Sequence, residues 1–494
     1  MEPIVLIHGY SAESEKTDRD SIAAIYGHLP GKLRDAYGEP AVTEIDLSRY
    51  VSLEDGVTID DVSRAFDRAL KTEEFQGLLN SGFHVIIHST GALVIRNWIR
   101  RFSTKPSPVR NLVYLAGANF GSGWGHIGKG QLAKWARLVF QGGAERGVRV
   151  LDALELGSSS TIDLHTYFLR SGNRMLEDYG VREHVVIGTQ ADPNWFSMPI
   201  RYGHEDGSDG VVRVSGSNLD FQYVRFEPTA EAKELAWGTA REQLESHIAR
   251  RGDNKRQAWY RVAEKAIPGE DGRMRVPMAI PYACAHSGED MGIVVGKKPI
   301  VQVLGLVRLA LESTPGNYAD RVAQFEAETA KTYTRAKKAQ APSWWSQWIT
   351  EPREQYDEHA QVIFRLHDQD GRPIVHYDIF FDSVWSRRDQ SLSIGKLFED
   401  KHVNDVSPNI ITFYLRTKGW DDDADDWVDR VRKVDGCYLE ITAVEPETEE
   451  IVYLPLRVEL DADTLCMWVQ GHRTTILDVE MLRLPSDAIF RIVR

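Results

Sequence analysis

The sequence predicts an α/β fold for residues 1–315, a mostly parallel sheet covered by helices with a helical cap at about 119–180, followed by a β-sandwich-like domain over residues 355–494. Three observations carry this. Short apolar runs alternate with segments of helical periodicity through the first part of the chain, the pattern of a parallel sheet buried on both faces. One run, Phe83 to Ile87, breaks at His88-Ser89-Thr90-Gly91 directly into a helical stripe of Val94, Ile95, Trp98, Ile99 and Phe102. From about Gln361 the period falls to two: Leu454, Leu456, Val458 and Leu460 alternate with Pro455, Arg457 and Glu459, as half-buried strands do.

Ile4 to Ile7 reads as the first buried strand and Val42 to Leu47 as the second. Thr58 is placed to cap a helix whose Val62, Phe66, Ala69 and Leu70 share one face. In the helix after Ser89, the spacing puts Arg96 and Arg100 on the side away from the apolar stripe. Val109 to Ala116 is the next strand. Gly123-Trp124-Gly125-His126-Ile127-Gly128 fits G-x-G-x-x-G, but it follows a late strand, so the dinucleotide reading is rejected.

Gln131 to Tyr179, with a stripe of Leu132, Trp135, Leu138 and Val139, reads as a cap or as an ordinary packed helical subdomain. His184 to Thr189 is a strand. Ala230 to Ala266 is expected to be helical, with His247 on its solvated side. Residues 316–354 form a helical, Trp-rich connector. Its Trp344, Trp345 and Trp348 either insert at a lipid interface or wedge the last helix between the domains. Asp368-Gln369-Asp370-Gly371 signals a hairpin, Ile411, Phe413 and Leu415 a strand, and the acidic run Asp421 to Asp426 a solvated loop.

The chain has 494 residues, 42% hydrophobic and 27% charged, the balance of an ordinary globular protein. A net charge of -14 argues against nucleic acid and gives no global attraction to anionic membranes. Cys284, Cys437 and Cys466 are odd in number and lack metal-ligand spacing, so no disulfide framework is expected. The first strand starts too early for an ordinary signal peptide, and the most apolar stretch is broken by Lys297, Lys298 and Arg308. This reads as a cytosolic protein, or one exported without a cleaved signal.

A serine where a strand breaks into a helix sits on a strained turn with its hydroxyl exposed and the following N–H, here that of Thr90, free to bind an oxyanion. Ser89 is therefore the candidate nucleophile. The usual G-x-S-x-G has glycine two before the serine, whereas this chain has Ile87. Asp209, in Glu205-Asp206-Gly207-Ser208-Asp209-Gly210-Val211-Val212, is the first candidate acid, at a tight turn expected to feed a strand; Asp206 and Asp192 are alternatives. His286, in Ala283-Cys284-Ala285-His286-Ser287-Gly288, is the candidate base, since the order Ser89, Asp209, His286 is the order of serine, acid and histidine in such enzymes.

With these motifs in place, residues 1 to about 315 resemble the α/β-hydrolase lipases and phospholipases, in particular the branch of bacterial lipases and lipase effectors of contact-dependent secretion. Its His-Ser-Thr-Gly elbow, Asp-Gly-Val-Val acid turn and His-Ser-Gly base loop are matched at positions 88–91, 209–212 and 286–288. The resemblance implies an esterase or phospholipase A type of activity with no metal or organic cofactor. His8-Gly9-Tyr10 then corresponds to the lipase segment in which the third residue, Tyr10, supplies a second oxyanion N–H. The C-terminal domain resembles lipid-binding β-domains of lipases in architecture. Hydrolysis of small soluble esters or thioesters, or a binding module with an idle serine, are the other readings. Any protein partner is left open.

Overall fold

The computed structural model describes residues 2–8, 25–51, 56–122, 148–190, 206–238, 259–339, 353–384 and 391–486. Tyr10, Asp192, His247, the 123–128 glycine motif, the stripe from Leu132 to Val139, and Trp344, Trp345 and Trp348 lie outside these residues. The chain forms two units. The first comprises Met1–Asp220, Gly272–Glu358 and Trp420–Trp427; the second comprises Phe221–Asp271, His359–Gly419 and Val428–Arg494.

The first unit is built on strands β1 (Ile4–His8), β2 (Val42–Asp46), β3 (Phe83–His88), β4 (Val109–Leu115) and β5 (Arg182–Val186). The chain then leaves this sheet for β6 (Gln222–Pro228) and β7 (Tyr260–Ala266), and returns with β8 (Met278–Ala279). The order is β2-β1-β3-β4-β5-β8, parallel at every pairing. Ile4 to Ile7 and Phe83 to Ile87 are buried throughout, as strands covered on both faces require. Each such aliphatic side chain contributes about 1.5–3 kcal/mol by leaving water.

The helices follow from their sequences. Ile59–Leu70 starts at a capping box in which the Thr58 hydroxyl accepts from the Asp61 N–H and the Asp61 carboxylate accepts from the Thr58 N–H. Its Phe66 packs edge-on against Trp98 of helix Gly91–Arg101, with ring centroids 5.4 Å apart. In the described part of the segment expected as a cap or packed subdomain, helices Val148–Leu154 and Ser159–Tyr167 send Leu154 and Leu164 into the same core. Helix Tyr318–Lys337, expected in a connector, packs there too through Phe325, and its Tyr318 hydroxyl donates to the Glu183 carbonyl. This is the α/β-hydrolase fold.

The remaining strands, wholly or largely in the second unit apart from the start of β13, are β9 (Glu358–Asp368), β10 (Tyr377–Ser383), β11 (Phe398–Val403), β12 (Ile410–Asp421), β13 (Asp426–Asp429), β14 (Gly436–Ala443), β15 (Ile451–Tyr453), β16 (Leu456–Asp461), β17 (Thr474–Met481) and β18 (Arg483–Pro485). One sheet runs β11-β12-β9-β17-β6-β7, with β13 on β12; a second runs β10-β14-β16. Phe364, Phe398 and Phe413 from the first meet Phe381 from the second, at centroid distances of 5.1 to 6.0 Å, in the core between them. The sandwich-like domain is thus present, with mixed rather than purely antiparallel pairing, because β17 runs parallel to both β9 and β6.

Two expectations are corrected here. Residues 221–271 belong to the second unit rather than to a continuous 1–315 domain. Of the predicted helix from Ala230 to Ala266, Ala230–Gly238 is helical and residues 239–258 lie outside the described residues, but Tyr260–Ala266 is an edge strand paired antiparallel with β6. Only the two ends of β7, Tyr260 and Ala266, are buried, so its charged middle carries no period-two signal, and ladder pairing overrides its helical composition. The Asp368–Gly371 turn does form, with Asp368 Oδ1 accepting from the N–H groups of Asp370 and Arg372. Its following strand crosses to the other sheet instead of completing a long hairpin.

Candidate functional site

β3 hands over to helix Gly91–Arg101 through Ser89, whose φ of +54° lies in the left-handed region. For a residue with a side chain this costs about 1–3 kcal/mol and persists only where the surroundings enforce it. They do so here: the Ser89 N–H donates to the Leu115 carbonyl at 3.1 Å, and the Ala118 N–H donates to the Ser89 carbonyl at 3.3 Å. Ile87 is accommodated by the remaining glycine. A Cβ on Gly91 would stand 3.3 Å from the Ile87 Cβ, so the space a first glycine would leave is supplied from the other side of the turn.

Asp209 sits in a turn closed by its own side chain. Its Oδ1 accepts from the Val211 N–H at 3.0 Å and the Val212 N–H at 2.7 Å, leaving Oδ2 to face His286. The expected strand after this turn is absent; the chain enters the short helix Val214–Ser217, and the turn holds its shape through these bonds rather than through a ladder. His286 lies on a loop after β8. The Ala285 N–H donates to the Met291 carbonyl, and the His286 N–H donates to the Asp209 carbonyl at 2.9 Å. A Cβ on Gly188 would lie 2.1 Å from the Cys284 carbonyl oxygen, so only glycine lets the end of β5 approach the loop this closely.

These elements bring three distant residues together. His286 Nδ1 is 2.9 Å from Asp209 Oδ2, and His286 Nε2 is 3.1 Å from Ser89 Oγ. With Nδ1 protonated toward the carboxylate, Nε2 is left as the acceptor for the serine hydroxyl. Ser89, Asp209 and His286 are each no more than 2% exposed. Thr90 is buried beside Ser89, and its hydroxyl finds no hydrogen-bond partner among the described residues. Asp206, three residues before Asp209, is not the carboxylate bonded to His286. Burial, reinforced by the Asp209 charge, pushes the nearby Cys284 thiol well up, so it remains protonated and unreactive. Among the described residues, no His, Cys, Asp or Glu cluster is arranged to hold a metal ion.

Two further residues depart from what the sequence suggested. The His88 ring stands 4.8 Å from that of His286, with its Nε2 3.3 Å from the His286 carbonyl oxygen; its position next to Ser89 was the available signal. Arg96, expected to face solvent, is 2% exposed. It pairs with buried Glu183, which also accepts from the Tyr114 hydroxyl, and its guanidinium lies 4.7 Å over the Phe168 ring. The helix is buried on both sides, so its apolar stripe marks one covered face rather than the only one.

No family model and no curated protein matches the sequence. Among solved structures, the chain is similar to phospholipase PlaB from Legionella pneumophila in complex with thio-NAD, with a TM-score of 0.74 and 21% identity over 100% of this chain and 96% of that one. A second structure of phospholipase PlaB from Legionella pneumophila matches with a TM-score of 0.73 and 22% identity, again over 100% and 96% of the two chains. The likeness extends through both units, so the α/β-hydrolase fold joined to a β-rich C-terminal part recurs in that protein.

Proposed function

We propose that the chain is a serine hydrolase that cleaves carboxylic esters of lipids, of the lipase or phospholipase A type, through an acyl-enzyme on Ser89. The observation that carries this reading is the reach of His286 to both Ser89 Oγ and Asp209 Oδ2. The whole-length likeness to a phospholipase supports lipid as the substrate class.

In this reaction Ser89 Oγ attacks the ester carbonyl while His286 Nε2 takes its proton. Asp209 holds the imidazole in the required tautomer and stabilises the imidazolium. The oxyanion is held by the backbone N–H groups of Thr90 and Tyr10, each worth about 3 kcal/mol to the transition state. His286 then gives its proton to the departing alcohol. Water, deprotonated by the same nitrogen, releases the fatty acid from Ser89. Lys, Arg or a metal is not needed to balance charge in any of these steps.

Labelling with a fluorophosphonate tests the assignment. Ser89 should react in the parent, and Asp209→Asn should slow both labelling and ester turnover by about 10³–10⁴-fold with the fold intact. Asp206→Asn should leave both within about twofold. Near-parental rates in Asp209→Asn would remove it from the acid role.

A further inference from the structure

We propose that Tyr356 is a positioning residue that locks the base loop and the acid turn to one another; this rests on the reading of Ser89, Asp209 and His286 as a catalytic group. Tyr356 is 1% exposed, and its hydroxyl accepts from the Ala283 N–H at 3.2 Å. Ala283 stands three residues before His286 and has a φ of +52°, a left-handed conformation that an alanine does not hold unaided. The residue before Tyr356 reaches the other partner. The Gln355 carbonyl accepts from the Gly207 N–H at 3.4 Å, two residues before Asp209.

The acid turn and base loop are already joined by the bond from the His286 N–H to the Asp209 carbonyl. Residues 355 and 356 close that link into a ring of three segments, none of which can shift without breaking a bond to another. The short helix Glu354–Tyr356 is itself fixed. The Tyr356 ring stacks on Tyr282 at 6.1 Å and 10° and meets Tyr333 edge-on at 6.0 Å. Tyr333 in turn packs on Trp427, and Trp427 on Trp420. Asp357 Oδ1 accepts from the Trp420 N–H at 2.8 Å, and Trp427 Nε1 donates to the Arg353 carbonyl at 3.3 Å.

The purpose of such bracing lies in the geometry. A serine–histidine contact of 3.1 Å depends on two separate loops, and displacement by about 1 Å is enough to cost on the order of 10²-fold in rate. Tyr356→Phe keeps the ring stack and removes only the acceptor of the Ala283 N–H.

The experiment compares parent, Ser89→Ala and Tyr356→Phe with p-nitrophenyl octanoate and a fluorophosphonate, together with amide exchange. Tyr356→Phe should lower kcat and the Ser89 labelling rate together, by about tenfold, with KM changed less than about twofold. Exchange should quicken at Ala283, while the amides of β3 and β4 stay protected. Parental kcat and labelling in Tyr356→Phe, or a change confined to KM, would overturn the proposal. Should that variant fail to fold, Asp357→Asn, which keeps the acceptor for Trp420, should be near parental in kcat and Asp357→Ala should not; equal kcat in the two would overturn it. Ester cleavage that survives Ser89→Ala would sink the catalytic reading and the brace with it, whereas a dead Ser89→Ala beside a parental Tyr356→Phe would sink the brace alone.

Discussion

The two large sheets are assembled on different principles. In the first, β1 lies beside β2 and β3, and β3, β4 and β5 follow one another across the sheet, with the apolar runs of β1 and β3 buried throughout. In the second, β17 from near the C-terminus is threaded between β9 and β6, and β6 lies some 250 positions earlier in the chain, as its Tyr223–Asp478 hydrogen bond records. The comparison teaches that a run of side chains declares a strand, but its partner is declared only where neighbours in sequence are also neighbours in space.

Each sheet also buries an arginine–carboxylate pair, and the settings differ. Arg96 and Glu183 are sealed, with side chains 3% and 6% exposed. Asp478 is shared by Arg365, His367 and Tyr223 on a sheet face where Arg365 keeps 18% of its side chain exposed. Burial raises the Asp478 carboxyl, but the bonds from His367 and Arg365 outweigh it and hold the group well below the usual carboxylate range. It therefore stays ionised, and its stabilisation is lost only in strong acid.

The largest effect should come from breaking the sealed pair. Arg96→Met strands Glu183 in the core and should cost about 3–5 kcal/mol in urea unfolding. Arg96→Met with Glu183→Leu should recover most of it, because no unpaired charge remains. A single-variant loss below about 1 kcal/mol would mean that the pair is no more sealed than the one on the second sheet. A smaller effect sharpens the contrast from the other side. Tyr223→Phe removes one of three partners of Asp478 and should cost about 1 kcal/mol. Equal losses at the two sites would erase the distinction between them.

Much of the first unit was legible because its signals are local. The strand from Phe83, the turn at Ser89 and the stripe from Val94 to Phe102 are contiguous, and the Thr58 cap needs only Asp61. The candidate acid and base were legible through their turns: Asp209 is fixed by N–H groups two and three positions on, and His286 by a loop closed within residues 285–293. What was not legible is what depends on distant partners. Arg96 looked solvated because Glu183 is 87 positions away. β7 looked helical because its strand state comes from β6, and Tyr356 gave no sign of its bond to Ala283. Helix Tyr318–Lys337 looked like a connector because its charged face hides Phe325.

The most direct measurement is to incubate the protein and its Ser89→Ala variant with mixed phospholipid and triacylglycerol vesicles and to identify the products by mass. The proposed chemistry predicts free fatty acid from the parent alone, with lysophospholipid or diacylglycerol as the accompanying product that names the substrate class. Fatty acid released equally by Ser89→Ala, or no release and no fluorophosphonate reactivity in the parent, would contradict it.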